Sequence, residues 1–311
     1  MTSIFIHAAC NFKRDHPFIN PKRNQVFPIF LRAGEKKGLN VFISRFKEFN
    51  PKTRRVKHAW VFDKGWKVVK NKKVDLMYYH GKNADSEIIG KKAVAESLKM
   101  INHPDIEVLC DDKAVTALKF PDISPKSFLI NSHYDLQKAI KFIRTRKVVL
   151  KPRYGSFGNN VLIIDKNKLH GGIQKGTILQ EFIDSSNGIR KFRFSGYHDL
   201  RVVVVDGKID HAYIRIAPNG SFTANMTRGA LKKYIEPDKL HRSVKNLIKY
   251  IDSELKHYGS RIYSADFMFD KHQKPWLVEM NSKPGTLYYD NNPKVRLKYY
   301  KNIFKSLKAA L

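Results

Sequence analysis

Short apolar runs alternate with amphipathic segments in the first hundred residues of the chain. Predicted strands cover residues 4–8, 40–44, 59–62 and 74–79, and predicted helices cover about 25–38 and 85–100. Strands that alternate with helices are typical of a parallel sheet with crossover helices. The charged interval 46–73 does not fit this pattern, and we predict an elaborated loop or an added hairpin there, packed around Trp60 and Trp66.

Apolar runs predict a further set of strands in the rest of the chain. Residues 104–110 predict a short strand that leads into a helix capped by Asp111 or Asp112. Other predicted strands cover 128–130, 147–150, 161–164, 177–184, 200–205, 209–216, 262–269 and 276–280, and other predicted helices cover 135–144, 238–258 and 292–311. We place a domain change near residue 110.

A glycine-rich segment, residues 151–160, separates two apolar runs and is predicted to be the loop of a hairpin. Gly155 and Gly158 permit positive φ, so that backbone N–H groups can turn inward around an anion, with Lys151 at the edge. The glycine spacing matches neither a Walker A loop nor a dinucleotide fingerprint. Taken alone, the segment fits a phosphate-binding loop and an ordinary glycine-containing hairpin equally well.

Two carboxylates occupy matching positions in the last two predicted strands. If the connecting loop is centred on His272 and Gln273, Asp266 lies opposite Glu279. Like charges in that arrangement are destabilising, so the pair is expected to have a cation nearby. With the amide oxygen of Asn281, the set suits Mg²⁺ shared with nucleotide phosphates. A register slip of one residue would instead send one carboxylate to solvent.

Composition adds a strong positive charge to this picture. The 311 residues include 59 Lys or Arg and 28 Asp or Glu, which gives a net charge of +31. Such a field attracts polyanions, and nucleic acid is one partner it allows, although a solvated basic surface explains the same count. The hydrophobic content of 42% predicts a globular protein of two or three domains. Two cysteines, no predicted membrane span and a strand-like N-terminus favour an intracellular, cytoplasmic location.

The informative stretches together resemble the ATP-grasp superfamily of carboxylate–amine ligases, and within it the branch of RimK-type glutamate ligases and bacterial glutathione synthetases. The resemblance covers about residues 112–285, and its motifs occur in the family's order. They are Asp112-Lys113, Lys151-Pro152 with Gly155-Ser156 and Gly158, Gln180-Glu181-Phe182-Ile183, Asp199-Leu200-Arg201, Arg215, Asn225 with Arg228-Gly229, Asp266, and Glu279-Met280-Asn281 with Pro284-Gly285. The first hundred residues are not securely matched, and segments 46–73 and 190–193 look like additions.

The resemblance implies a role for each matched residue. ATP is implied to bind through two lysines that hold its phosphates, Lys113 and Lys151, and through a flexible loop over them that includes Tyr154, Gly155, Ser156 and Gly158. The implied adenine hinge is Gln180, Glu181, Phe182 and Ile183, where the carbonyl of Glu181 and the amide of Ile183 bond to the adenine edge. Asp199 is implied to bind the ribose. Asp184 or Asn187 are alternatives to Asp199. The implied catalytic residues are Arg201, Arg215, Asn225 and Arg228. The implied metal ligands are Asp266, Glu279 and Asn281, with Glu279 bridging two Mg²⁺ ions and Mn²⁺ as an alternative metal.

The resemblance also implies a fold and a reaction. The fold is α/β, with an N-terminal Rossmann-like domain (1–110) and two α+β ATP-grasp subdomains (111–185 and 186–311) that sandwich ATP. The reaction activates a substrate carboxylate as an acyl phosphate, which an amine then converts to an amide. The substrates are expected to be small molecules or peptides, including acidic ones that could dock at Arg190, Lys191 and Arg193. The oligomeric state is open, with a homo-oligomer as one alternative. A polyanion- or RNA-binding protein that keeps this fold and a phosphotransferase are the two alternatives.

Overall fold

Three β-sheets organise the chain in a computed structural model that describes residues 1–80, 85–155, 160–169, 172–222, 224, 229–285 and 292–311, with the backbone alone at 85–87. Each sheet falls within one of the three predicted domains. The domain limits themselves stay predictions. None of the described helices combines the length and the hydrophobicity that a membrane crossing needs.

The N-terminal sheet has seven described strands in the order β3-β4-β2-β1-β6-β7, with β5 paired to β4. They are β1 (Thr2–His7), β2 (Leu39–Ser44), β3 (Phe49–Asn50), β4 (Arg55–Phe62), β5 (Trp66–Lys73), β6 (Leu76–Tyr79) and β7 (Lys99–Ile101). β1 pairs in parallel with β2 and β6, and β6 with β7, whereas β4 and β5 form an antiparallel hairpin. The predicted parallel pairing is confirmed for β1, β2, β6 and β7, whereas β4 pairs antiparallel with β2, β3 and β5, so the sheet is mixed. Of the two structures predicted for the interval 46–73, the added hairpin is the one observed.

Helices α1 (Pro21–Glu35) and α2 (Asp85–Ala95) connect strands of this sheet. Asn20 caps α1 by accepting a hydrogen bond from the Arg23 N–H, and Pro21 fits the first helical position. Gly34 allows α1 to approach its neighbours, because a Cβ there would clash with side chains of Val41 and Phe304. The predicted helix over 85–100 ends earlier than expected, at Ala95, since its last residues lead into β7.

The second sheet is antiparallel and has the order β10-β9-β11-β8. Its strands are β8 (Ser127–Ile130), β9 (Lys147–Pro152), β10 (Leu162–Asp165) and β11 (Thr177–Glu181). Helix α5 (His133–Phe142) packs on one face through Leu136 and Ala139. β9 and β10 form the predicted hairpin around the glycine-rich segment, with Leu162 opposite Leu150.

The third sheet is antiparallel and has the order β14-β13-β12-β15-β16. Its strands are β12 (His198–Val205), β13 (Lys208–Ile216), β14 (Leu231–Ile235), β15 (Ile262–Phe269) and β16 (Pro275–Asn281). Apolar residues such as Leu200 and Ile214 face helix α6 (Arg242–Leu255) and form the core with it. Because side chains alternate along a strand, Arg201, Arg215 and Asp266 lie on the opposite face.

The prediction of a strand over 104–110 is wrong, since these residues form helix α3 (Pro104–Asp111). His103 accepts a hydrogen bond from the Asp105 N–H, Pro104 takes the first helical position, and acidic residues in the first turn favour the helix dipole. Ile106, Leu109 and Cys110 then share one buried face at helical spacing. The predicted cap is confirmed at Asp112, which precedes α4 (Lys113–Lys119).

Asn102 ties the N-terminal sheet to the third sheet. Its side-chain nitrogen donates to the carbonyls of Ile262 and Ser282, both at 2.6 Å, and its side-chain oxygen accepts from the Ile262 N–H at 2.7 Å. Helix α7 (Pro293–Ala309) adds an apolar contact, because Tyr299 and Phe304 belong to one core cluster with residues of β1, α1 and β12. These contacts fix β15 and β16 relative to the N-terminal sheet.

Candidate active site

Asp112 anchors the start of the glycine-rich segment to helix α4. Besides capping α4, its carboxylate accepts hydrogen bonds from Arg153 Nε at 2.9 and 3.0 Å and from the Tyr154 hydroxyl at 3.0 Å. Burial raises the pKa of Asp112, but the bonds from Arg153 and Tyr154 outweigh it and hold the pKa below its usual value. Gly155 has the predicted positive φ, at 122°. Ser156 and Gly158 lie outside the described residues.

The two predicted phosphate-binding lysines meet strand β16 of the third sheet. Lys113 Nζ donates to the Gly155 carbonyl at 2.8 Å and lies 3.5 Å from Glu279 Oε1. Lys151 Nζ donates to Gln180 Oε1 at 2.9 Å and to the Val278 carbonyl at 3.0 Å. Burial lowers the pKa of Lys151 to about 8, Glu279 opposes that shift and Lys113 adds to it. The second and third sheets therefore face each other across a pair of ammonium groups.

The end of β11 holds the predicted adenine hinge. Gln180 Nε2 donates to Ser127 Oγ at 2.7 Å, which turns the side-chain oxygen of Gln180 toward Lys151. The Glu181 carboxylate accepts from the Arg144 N–H at 2.8 Å, and the Phe182 N–H donates to Thr145 Oγ1 at 3.3 Å. Ile183 follows and is half-buried. The side chain of Glu181 therefore holds the hinge in place, and adenine reading by the backbone stays a prediction.

A buried network of two arginines and two aspartates lies on the face of the third sheet opposite α6. Arg201 binds Asp266 through two hydrogen bonds, from Nε at 2.7 Å and from a terminal nitrogen at 2.6 Å. Arg215 bridges the two carboxylates, donating to Asp266 Oδ2 at 2.8 Å and to Asp199 Oδ1 at 2.5 Å. Asp199, which is predicted to bind ribose, thus contacts Arg215, which is predicted to be catalytic. The ribose-binding role of Asp199 stays a prediction.

The pKa values of the two aspartates in this network are shifted in opposite directions. Burial raises the pKa of Asp266, but Arg201 and Arg215 outweigh burial and hold the pKa below its usual value. Burial raises the pKa of Asp199 to about 6, because repulsion from Asp266 adds to it and the opposing charges of Arg215 and Arg201 do not outweigh the two. The pKa of each arginine is raised, since the carboxylates outweigh the cost of burial. The network therefore holds both guanidinium groups charged.

Asp266 lies opposite Glu279 as predicted, but a bulge follows directly, and the pairs nearer the turn, from Phe267 opposite Leu277 onward, are shifted by one residue from the predicted register. The cations that the like-charge pair needs come in part from the protein itself. Arg201 and Arg215 bind Asp266, and Lys113 lies near Glu279. Asp266 is 2% exposed, whereas 31% of the Glu279 side chain is exposed. Glu279 is therefore the carboxylate that a ligand can reach.

The donor chemistry of Asp266, Glu279 and Asn281 fits Mg²⁺. A carboxylate has about four acceptor positions, and the arginines occupy three of those on Asp266, so that Oδ1 keeps one. The Asn281 side-chain oxygen accepts from the Lys283 N–H at 2.8 Å and keeps a second lone pair. Within the described ranges, no three His, Cys, Asp or Glu side chains gather as a metal site. An ion held here would need the amide and phosphate oxygens to complete its shell.

Sequence reasoning missed part of this site. Lys232 Nζ lies 4.0 Å from the ring centre of Tyr213 and donates to the Tyr234 hydroxyl at 2.8 Å, and Lys232 pairs with Arg215 across the strands. The alternation of residues 231–235 would have placed Lys232 and Tyr234 on one face of a strand, but β14 was not predicted. Asn225 and Arg228, predicted to be catalytic, lie outside the described residues.

Comparison with known proteins agrees with this geometry. A family model described as a RimK-like ATP-grasp domain matches residues 110–303. A probable alpha-L-glutamate ligase of Methanococcoides burtonii is 28% identical over 158 residues, covering 49% of this chain and 47% of that protein. One of Vibrio atlanticus is 26% identical over 168 residues, covering 52% and 50%. The chain thus spans about half the length of the curated relatives it matches.

Solved structures share the fold over nearly the whole chain. The D-cycloserine synthetase DcsG has a TM-score of 0.64 at 12% identity, with 98% of this chain and 99% of that chain covered. The ATP-grasp ligase PsnB, solved with a phosphomimetic variant of its minimal precursor, Mg and ADP, has a TM-score of 0.61 at 13% identity, with 100% and 99% covered. The D-alanyl-alanine synthetase A of Vibrio cholerae has a TM-score of 0.61 at 14% identity, with 99% and 98% covered.

Proposed function

This chain belongs to the RimK-like ATP-grasp domain family, and we propose that it is an ATP-dependent carboxylate–amine ligase that releases ADP and phosphate. One observation carries the proposal. Lys113 and Lys151, from the elements around the glycine-rich segment, converge on β16 next to Glu279. This juxtaposition provides cations for nucleotide phosphates and a carboxylate for the metal that accompanies them.

The nucleotide would lie between the second and third sheets. Lys113 and Lys151 would bind its phosphates, and the segment that begins at Tyr154 would cover them. Approach of a phosphate favours the charged form of Lys151 and raises its pKa from the value of about 8 in the free protein. Adenine would bind at the end of β11 through the Glu181 carbonyl and the Ile183 N–H, in a backbone position that the Glu181 carboxylate helps to fix.

Glu279, Asn281 and the remaining acceptor position of Asp266 would hold Mg²⁺ together with phosphate oxygens, and Mn²⁺ suits the same oxygen donors. We propose Glu279 as a bridge between two ions because it is the most exposed of the predicted carboxylate ligands. Bound Mg²⁺ neutralises phosphate charge and so favours phosphoryl transfer. The protein's part is to hold these oxygens on neighbouring strands.

Arg201 and Arg215 would stabilise the transferring phosphate. In the proposed reaction a substrate carboxylate oxygen attacks the γ-phosphorus and ADP leaves, and an amine then attacks the acyl carbon and phosphate leaves. A guanidinium has five N–H donors, and the described contacts use two on each arginine, so that planar donors are left for an anion. Asp266 and Asp199 orient both groups before substrate binds, which lowers the cost of reorganisation during the reaction.

The substrates are proposed from the names of the relatives and from local charge. The curated relatives are named probable alpha-L-glutamate ligases, so an acidic amino acid or a peptide is the proposed substrate class. Arg190, Lys191 and Arg193 are exposed on a short turn after the hinge. They offer a docking place for an acidic group, consistent with this class.

A screen of ADP release tests the proposal. Amino acids and short peptides are supplied in pairs with Mg²⁺ and ATP, and the products are identified by mass spectrometry. The expected result is ADP release that requires both a carboxylate and an amine and yields an amide. A stable phosphorylated product formed without any amine would indicate a phosphotransferase instead. ATP binding without turnover across the whole screen would contradict ligase activity on these substrate classes.

A further inference from the structure

A basic groove lies on the N-terminal sheet and shares no residue with the nucleotide site. It encloses about 1110 Å³ beside β3, β4 and the segments that precede them. Its lining includes four lysines, Lys13, Lys47, Lys52 and Lys57. The surrounding interval 46–73 is rich in positive charge, with ten Lys or Arg and two Asp or Glu. We call this surface the lysine groove.

The protein leaves the charge of the lysine groove largely uncompensated. Glu48, the carboxylate in its lining, is bound by Arg45 at 2.7 Å and lies 2.9 Å from His58 Nδ1. Burial raises the pKa of Glu48, but His58 and Arg45 outweigh it and hold the pKa below its usual value. None of the four lysines forms an ion pair with any residue in the described ranges. Unpaired charges of one sign in a concave surface concentrate the electrostatic field and attract anions.

The aromatic residues of the groove do not suit single-stranded nucleic acid. Binding of unpaired bases depends on ring faces that are open for stacking. The Phe12 ring stacks on Trp60 with 7° between the planes, and the Arg45 guanidinium lies 4.9 Å from the Phe12 ring centre. Phe49 is 9% exposed. The two phenylalanine rings that line the groove are thus already covered, while its lysine side chains are exposed.

The neighbouring hairpin is better suited to an extended polypeptide. Strand β5 pairs only with β4 among the described strands, so its other edge can accept a further strand. Val68, which is 41% exposed, and Pro51 give the groove apolar surface for the methylene groups of side chains. Lysines on an exposed edge strand can also serve to prevent pairing between copies of a protein. That explanation does not apply to the groove lysines, because Lys57 lies on the inner strand β4 and the other three lie outside β5.

We propose that the lysine groove is a docking site for an extended acidic polypeptide segment, rich in Asp and Glu. The ammonium groups of the groove lysines pair with its carboxylates, and the apolar surface of Val68 and Pro51 contacts the methylene groups of its side chains. This interaction goes beyond the proposed ligase activity and needs no nucleotide. A polypeptide held there would be present at a high local concentration near the rest of the protein.

The test is direct binding of a fluorescein-labelled oligoglutamate peptide to the full chain without ATP, measured by fluorescence anisotropy at low salt. An oligoglutamine peptide of the same length and an oligouridylate serve as competing probes. The groove variant is K47E/K57E, and the matched control is K301E/K305E, which makes the same change in net charge on exposed positions of α7. K47Q/K57Q repeats the test with a smaller perturbation, and circular dichroism verifies that each variant is folded.

The wild type is expected to bind oligoglutamate and not oligoglutamine. K47E/K57E should weaken binding about tenfold or more, since four units of charge change within one cleft, whereas the control should stay within about twofold. Equal losses in the two charge-reversed variants would overturn the proposal in favour of attraction by the net charge of +31. Tighter binding of oligouridylate that is lost in the groove variant, or no binding of oligoglutamate by the folded wild type, would also overturn it.

Discussion

Charges are paired and buried on the third sheet, whereas the lysine charges of the lysine groove are exposed and have no ion-pair partner among the described residues. Arg201 and Arg215 bind Asp199 and Asp266, so that two positive and two negative groups balance. The groove instead has four lysines without a carboxylate partner among the described residues. A paired network preorganises donors for one anion, whereas an unpaired surface attracts anions at longer range and tolerates changes in their shape. Positive charge alone therefore does not identify the kind of binding site. The kind of site depends on whether each charge has a partner within the protein.

The largest expected effect comes from removing the shared carboxylate of the network. Asp266→Ala leaves Arg201 and Arg215 buried without their common partner, and loss of one partner of a buried pair costs about 3–5 kcal/mol. The measurement is the free energy of unfolding in urea. Asp238→Ala, at an exposed position, is the control and should change it by less than about 0.5 kcal/mol. A variant as stable as the control would mean that the arginines find other partners.

The next effect separates catalysis from stability within the same region. Glu279→Gln is expected to lower turnover about a hundredfold or more, because it removes a charged metal ligand, while the fold is kept since the side chain is partly exposed. Mg²⁺ with ATP should raise the melting temperature of the wild type and not that of the variant. Glu254→Gln on α6 is the control and should behave as the wild type. Full turnover in Glu279→Gln would remove Glu279 from the mechanism.

A third effect concerns the pH dependence of ATP binding. The folded-state pKa of Lys151 is about 8, below the ordinary 10.5, so the ammonium is charged below pH 8 and loses its proton above it. The dissociation constant for ATP is therefore expected to rise about tenfold per pH unit above that point. Titration calorimetry across this range measures it. Lys151→Arg, which stays charged, should flatten the profile, and a wild-type profile already flat above pH 8 would contradict the role of Lys151.

The lowered pKa of Lys151 also leads to a prediction about stability. Between pH 8 and 10.5 the unfolded chain keeps the Lys151 proton that the folded chain has lost, so the contribution of this group to the free energy of unfolding increases with pH. Urea unfolding at both ends of this range measures the change, with a Lys151→Met variant as the reference for all other titrating groups.

The smallest expected effect tests the unpaired charges of the lysine groove. Lys47→Glu is expected to raise the melting temperature slightly, by no more than about 1 °C, because it relieves repulsion among the groove lysines. Added salt should remove the difference, since it screens exposed charges. Thermal unfolding at low and high salt checks both statements. A clear loss of stability would show that Lys47 has a structural partner after all.

Several features of the site were predictable from local patterns. Strand alternation placed Asp266 and Glu279 on facing strands, although their direct pairing also depends on the bulge after Asp266, which the sequence pattern did not predict. The hairpin around Gly155 follows from two apolar runs and a glycine-rich segment. The wrong strand at 104–110 has an equally local cause. Ile106, Leu109 and Cys110 fit a helix face, but the run is too short for periodicity alone to separate helix from strand.

The sequence by itself determined the order of the motifs, the alternation of strands and helices, and which residue types can bind phosphate and metal, because these depend on near neighbours along the chain. Only the tertiary structure decided which charges are paired. Asp266 binds Arg201 and Arg215 from two other strands, and Lys151 reaches the Val278 carbonyl 127 residues away. Those partners come together through the packing of whole sheets, and burial there sets the pKa values. No spacing along the chain encodes such contacts, since they depend on how distant elements fold against each other.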